Sequence, residues 1–160
     1  MAAKLSLPSR PKGLYRLLFR LPIWLYRARL GWLLGNRFLL LWHTGRKSGL
    51  TRMTVLEVAG YDEGADTYYV ASGWGAKSDW YRNLLKTPEI TVQVGRRRRP
   101  MVAFPLSPEA SGETMVDYSR RHPAAARGLT RVRGLKITGT EAEYRRIGRE
   151  LIPFVAIKPR

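Results

Sequence analysis

Apolar and polar positions follow different rhythms along this chain, and each change of rhythm marks a new element. Leu14, Leu17, Leu18, Leu21 and Leu25 recur at helical spacing, with Arg16, Arg20 and Arg27 elsewhere on the wheel. Pro22 splits or kinks this region, because its ring removes a backbone donor, and the second piece ends near Gly31 or Gly35. Phe38-Leu39-Leu40-Leu41-Trp42 is a continuous apolar run with the length of a buried strand. The turn Thr44-Gly45-Arg46-Lys47-Ser48-Gly49 separates it from a second strand, Arg52 to Ala59. A further turn, Asp62 to Asp66, leads into a third strand from Thr67 to Ser72.

Beyond these hairpins, Ser78-Asp79 can cap a helix that runs through Lys86 and stops at Thr87-Pro88. Ile90 to Val94 alternates as a strand, and Gly95 turns it into Arg96 to Phe104. Ser107-Pro108-Glu109 opens a helix, with proline at its first position and an acid in its first turn. Helical segments continue to about Glu150, and Pro153 to Lys158 reads as a final strand. Five or six strands thus arrive in hairpin order, without regular strand–helix alternation. The predicted fold is α+β: a mainly antiparallel β-barrel with helices at its edges, rather than a doubly wound sheet. Its 160 residues fit one domain, with an amphipathic helical segment over 1–35 and a barrel body over 36–160.

Composition narrows the chemistry. There is no cysteine, which excludes disulfides, thiolate zinc sites and cysteine nucleophiles, and which suits a reducing cytoplasm. With His43 and His122 as the two histidines, a histidine-rich metal site is not expected. The formal net charge is +17, and no acidic residue precedes Glu57. Such an excess favours an anionic partner: nucleic acid, a phospholipid surface or a multiply charged small molecule. The N-terminus does not read as a secretory signal, since basic residues interrupt its apolar stretch. Nor does Ile23 to Trp42 read as a membrane span, because Arg27, Arg29, Asn36 and Arg37 interrupt it. A central arginine costs about 2.5–3.5 kcal/mol there. Two readings of the N-terminal helix stand: docking on the core, or lying on an anionic membrane with Trp24, Tyr26 and Trp32 at the interface.

Several motifs fail. Gly73-Trp74-Gly75-Ala76-Lys77-Ser78 lacks the third glycine of a dinucleotide fingerprint and the Gly-Lys-Ser ending of a phosphate loop. No Gly-x-Ser-x-Gly elbow occurs, and no carboxylate pair stands out. Arg96 to Arg99 could grip phosphates, but strand alternation sends half of them to each face, and a solvated edge or hairpin arm accounts for the run. Trp80-Tyr81 could stack on a flat ring, though on a helix such a pair also serves as core and rim packing. The hairpin Thr44 to Arg52 offers more. Glycines at both ends let backbone N–H groups converge, and Arg46, Lys47, Ser48 and Arg52 add three cations and a hydroxyl, which together can cradle an anion.

That hairpin, followed by Val70-Ala71-Ser72-Gly73-Trp74-Gly75 and then Trp80-Tyr81-Arg82-Asn83-Leu84, resembles the deazaflavin-dependent nitroreductase/quinone reductase family over roughly residues 36 to 105. The resemblance implies an FMN-binding-like split β-barrel that holds 8-hydroxy-5-deazaflavin, a coenzyme with a phosphate and an oligoglutamate tail, with FMN as the alternative. It further implies that Arg46, Lys47 and Arg52 hold the phosphate and tail, and that Ser72, Gly73, Trp74, Gly75 and Ala76 lie beside the ring. Trp80, Tyr81 and Asn83 match the family's pocket-closing Trp-Tyr-x-Asn helix. Val55-Leu56 stands where the family has Pro-Leu, and Trp74 where it has glycine.

The activity so implied is hydride transfer from reduced deazaflavin to a quinone-like or nitroaromatic acceptor, in the cytoplasm or on the inner face of the membrane. No side chain need be a nucleophile, no metal is called for, and Tyr81 and Tyr118 are candidate proton donors. The rival is a non-enzymatic lipid- or flavin-binding protein on the same barrel. Nucleic-acid binding explains the charge but not the hairpin paired with the Trp-Tyr-x-Asn-Leu helix. The N-terminal pattern generates its own test. Basic residues near an anionic surface contribute about 1 kcal/mol apiece, so the intact protein should sediment with phosphatidylglycerol vesicles at low salt. Deletion of residues 1 to 34 should leave it in the supernatant.

Overall fold

The computed structural model describes residues 35–160; the predicted N-terminal helix lies outside them. Six strands, β1 (Phe38–Thr44), β2 (Thr51–Asp62), β3 (Thr67–Ala71), β4 (Glu89–Val94), β5 (Arg97–Pro105) and β6 (Phe154–Pro159), close into a barrel in the order β1-β2-β3-β6-β5-β4. Every pairing is antiparallel, and β1 meets β4 to complete the circle, with Leu41 opposite Val92. The predicted hairpins stand, with their borders shifted by a few residues.

Alternation along the strands sorts side chains between two cores. Leu39, Leu41, Val70, Val92, Met101, Val155 and Ile157 fill the barrel. Helix α1 (Asp79–Lys86) lays Tyr81 and Leu84 into that same core and so stoppers one end. Three more helices, α2 (Pro108–Arg121), α3 (Pro123–Val132) and α4 (Glu141–Glu150), fill the connection between β5 and β6. They bury a second core of Met115, Val116, Tyr118, Ala126, Tyr144 and Ile147 against Ala59 and Phe154 on the barrel's outer wall. Residues Phe154 to Ile157 of β6 are all buried, because Val155 and Ile157 face the barrel and Phe154 faces the helices.

Local signals set the helix ends. Ser107 accepts from the Ala110 N–H at the start of α2, and Thr140 with Glu143 forms a reciprocal capping box at α4. Ser78 holds the capping position of α1 without making the expected side-chain bond; its hydroxyl is buried and unpartnered. The arginine run behaves as a hairpin arm. Arg97 to Arg99 pair with β4 alone, since β5 meets β6 from Met101 onward. Arg99 binds the Asp66 carboxylate, and Arg98 lies 4.1 Å from the centroid of the Trp42 ring.

Helices α2 and α4 cross at two glycines. A Cβ on Gly148 would come within 2.8 Å of both the Gly112 Cα and the Met115 Cβ, and one on Gly112 within 2.8 Å of the Arg145 carbonyl oxygen. Backbone meets backbone there, so a methyl group has no flexible neighbour to displace. Gly148→Ala should therefore cost about 1–3 kcal/mol by overpacking, despite the better helix propensity of alanine. Chemical denaturation of the variant beside the parent checks this.

Candidate functional site: a hairpin clamp and a cavity under the third helix

The β1–β2 turn is held by one buried amide. Asn83, on the inner face of α1, accepts at Oδ1 from the Arg46 backbone N–H and from the Arg46 guanidinium, both at 3.0 Å. Two donors at Oδ1 fix the orientation of the amide. Its Nδ2 therefore donates to His43 Nδ1 at 3.0 Å, which requires that nitrogen to be unprotonated. Burial first, and the nearby Arg52 cation second, push the His43 pKa down to about 4, which keeps it so. Asp79 takes the other arm of the Arg46 guanidinium at 3.1 Å, and Lys86 donates to the Arg46 carbonyl oxygen at 2.9 Å.

Much of the turn's hydrogen bonding is spent on the turn itself. Gly45 N–H donates to the Leu50 carbonyl, Gly49 N–H to the Gly45 carbonyl, and Leu50 N–H to the Ser48 hydroxyl. Gly49 adopts a left-handed φ of 69°, and a Cβ on Gly45 would stand 2.7 Å from Ser48 Oγ and displace the hydroxyl that accepts from Leu50 N–H. What the turn presents outward is the exposed pair Lys47 and Arg52, rather than a cradle of backbone N–H groups. The cation nearest the helix, Arg46, is tied to Asp79 and Asn83.

Farther along β2 the register against β3 shifts between Val58 and Gly60, an irregularity of the kind that re-aims side chains beside sites. There, Glu57 and Ala59 form one wall of a cavity of about 420 Å³. Ala71, Gly73 and Trp74 continue the wall, and Tyr118 of α2 with Ala125, Gly128, Leu129 and Val132 of α3 roof it. The loop after β3 is pinned by Ser72, whose buried hydroxyl donates to the Gly75 carbonyl at 2.7 Å and whose N–H donates to the Pro153 carbonyl. Gly75 turns the chain at a φ of 84°. Three charged residues face the same space: Arg37, Glu57 and Arg133. The Tyr118 hydroxyl lies 3.5 Å from a Glu57 oxygen, and burial together with that carboxylate pushes the tyrosine up to about 12. The Arg133 guanidinium is buried, lies 5.3 Å from the Trp74 ring centroid and makes no hydrogen bond among the described residues.

Of the predicted site residues, Gly73 and Trp74 line this cavity, while Lys47, Ser48 and Arg52 are exposed at the hairpin. Leu56, Trp80 and Tyr81 pack on or in the barrel core, with Trp80 partly buried. Tyr81 is thereby removed from the cavity, and Tyr118 stays on it. Val55 is half-buried, Ala76 is exposed, and Ser72, Gly75 and Asn83 act on the shape of loop and turn. Glu57, Leu129 and Arg133 were missed. They come from β2 and from α3 with its capping residue, far apart in sequence, and an arginine in so basic a chain carries no distinguishing pattern.

A cavity of this size is in the usual range for a small-molecule site. Its apolar wall of Ala59, Ala71, Leu129 and Trp74, with exposed Arg52 on the same β2 strand and Lys47 in the turn before it, fits a flat ring that carries an anionic tail. The barrel and its site define a split-barrel oxidoreductase that works with a bound ring coenzyme. More particularly, the chain belongs to the F420H(2)-dependent quinone reductase family, which it matches over residues 18–132. It is thus an enzyme of deazaflavin-dependent oxidoreduction. Solved structures agree on the fold. An F420-H2 dependent reductase (FDR-A) superposes with a TM-score of 0.53 at 22% identity, over 78% of this chain and 96% of its own. An F420 reductase does so with a TM-score of 0.51 at 11% identity, over 94% and 96%. Atu2129 of Agrobacterium tumefaciens, of unknown function, reaches 0.55 at 14% identity, over 94% of this chain and 59% of its own. No curated protein matches the chain.

The clamp carries a pH signature. His43 has a folded pKa near 4, below its ordinary value of 6.5, so the folded state resists the proton that the unfolded chain accepts. Stability from this group is therefore complete above 6.5 and falls as the pH drops toward 4. Thermal melts between pH 7 and 5 should show a decline in the parent protein that His43→Gln, which cannot titrate, largely removes.

Proposed function

We propose that the protein passes a hydride from a reduced deazaflavin coenzyme to a quinone-like or nitroaromatic acceptor inside the cavity under α3. The observation that carries this reading is the pairing of two features on one strand. β2 has exposed Arg52 at its start, beside Lys47, and lines the cavity with Glu57 and Ala59. Five residues of extended strand separate Arg52 from Glu57, roughly 17 Å, with the two side chains on opposite faces by alternation, so a ligand with its ring in the cavity would need a long anionic tail to meet the flexible cations at the hairpin. Lys47 and Arg52 would hold the phosphate and tail, with Arg46 keeping the turn in position. Ser72, Gly73, Trp74, Gly75 and Ala76 would border the ring, and Val55 would lie along its path. FMN is a secondary candidate for the same place.

The coenzyme supplies the hydride when bound; the protein supplies position, electrostatics and exclusion of water. Tyr118 keeps its proton at neutral pH and donates it in a hydrogen bond to Glu57 at 3.5 Å, a long bond that an acceptor oxygen in the cavity would have to displace to receive the proton. The apolar roof of α3 excludes water from that exchange. We assign the enzyme to the cytoplasm, with contact at the inner face of the membrane through the basic N-terminal segment, where lipid-soluble acceptors concentrate. No helix among the described residues is long and apolar enough to cross a membrane, which is consistent with peripheral contact.

Fluorescence titration with the deazaflavin coenzyme tests the assignment. Each charge-assisted bond is worth about 1.5–3 kcal/mol, so Lys47→Ala and Arg52→Ala should each raise Kd by about tenfold or more. Arg149→Ala, on the exposed face of α4, should leave it unchanged. Parental affinity in both hairpin variants would overturn the reading.

A further inference from the structure

Arg133 poses a problem that the coenzyme assignment does not solve. The residue is 3% exposed, and all three guanidinium nitrogens are shut from solvent without a hydrogen-bond partner among the described residues. A buried cation without a partner is among the more costly arrangements a fold can hold. The chain has acids to spare for other arginines: Asp66 binds Arg99, Asp79 binds Arg46, Glu113 binds Arg145 and Glu141 binds Arg120. None serves Arg133. Burial lowers its pKa with no carboxylate acting against it. Trp74 offers the guanidinium an aromatic face at 5.3 Å, which partly offsets the missing anion and leaves the N–H donors unused.

Position gives this orphan a use. Arg133 follows the last residue of α3 and lines the same cavity as Trp74, Glu57 and Tyr118. The coenzyme's phosphate and tail already have exposed cations at the hairpin, at the other end of β2. A guanidinium with free donors beside an indole is built for a planar oxyanion: it binds the oxygen edge-on while the ring lies against the tryptophan.

Resting on the reading of this cavity as the acceptor site, we infer that Arg133 selects acceptors bearing an acidic oxygen conjugated to the ring, an enolate or carboxylate, over neutral quinones. Glu57 and the exposed Arg37 both lie beside Tyr118 and offset one another, so the buried Arg133 is the cation left to take the ligand's charged edge.

The experiment is binding in the absence of coenzyme, read by tryptophan fluorescence on the full chain. The probes are a hydroxynaphthoquinone that is an enolate at neutral pH and menadione, its neutral relative. The parent should bind the enolate at least about tenfold more tightly, the scale of one charge-assisted contact. Arg133→Met should bring the two within about twofold, and Arg133→Lys, which keeps the charge but loses the fork, should retain part of the preference. Should Arg133→Met fail to fold, the lysine variant and acidification of the parent decide, because protonating the enolate must abolish its advantage. Equal affinities in the parent, or a preference that survives Arg133→Met, overturns the inference. So does a variant that loses coenzyme affinity while keeping the preference, since the guanidinium would then serve the coenzyme. Turnover of menadione with reduced coenzyme is measured separately, so failure of the coenzyme assignment leaves the binding comparison readable.

Discussion

The whole arrangement depends on one long-range pairing, the insertion of β6 between β3 and β5. Without it the sheet would keep two open edges, each a row of unpaired backbone groups. With it, the connection from β5 to β6 must travel outside the barrel, and that connection is α2, α3 and α4. The helices are therefore laid over the outer face of β2 and β3 by the topology itself, and the space left beneath them becomes the cavity. β6 meets both cores, Val155 and Ile157 in one and Phe154 in the other, so barrel and helical layer stand or fall together.

Charge is divided with similar economy. Arg46, Arg99, Arg120, Arg121 and Arg145 each bind a carboxylate, and these ties secure turns and helices. Lys47 and Arg52 remain outward and exposed, where an anion from solvent can reach them. Arg133 is withdrawn from solvent and from acids alike. The strong positive excess of the sequence is thus three populations with different duties, and the net figure conceals them. An exposed cation raises encounter rates and binds with modest, salt-screened strength, whereas a buried one acts through geometry.

Much of the fold was legible because turns announce themselves. Gly45 and Gly49, Asp62 to Asp66, and Gly95 sit between apolar stretches of strand length, so three hairpins could be drawn, and with them an antiparallel barrel. Ser107-Pro108 and Pro153 bracketed the helical stretch, although the breaks at His122 and over 133–140 were not drawn. The site was less legible. Gly73 and Trp74 were found through resemblance, but Tyr118, Leu129 and Arg133 reach the same cavity only after β6 has folded the helices back. Asn83 was placed on the right helix, as part of a pocket-closing motif. Pattern cannot tell that its amide spans His43 and Arg46, because both partners lie some forty residues earlier. Arg46 shows the same limit: a cation in a glycine-flanked turn reads as a ligand contact until its acid, Asp79, is seen beside it.

Helix α3 is anchored differently from its neighbours. Helices α2 and α4 are locked where Gly112 meets Gly148, and α2 buries six residues, but α3 buries only Ala126 and Thr130 and leaves Val132 largely exposed. Small side chains and little buried surface mean that its opening costs far less than global unfolding. The roof of the cavity is therefore the part of the helical layer with the lowest local stability, and its amides should exchange with solvent well before those of the helices it leans on. A bulky acceptor can enter by a brief lifting of this one helix, while the barrel, the hairpin clamp and the glycine-locked pair stay closed.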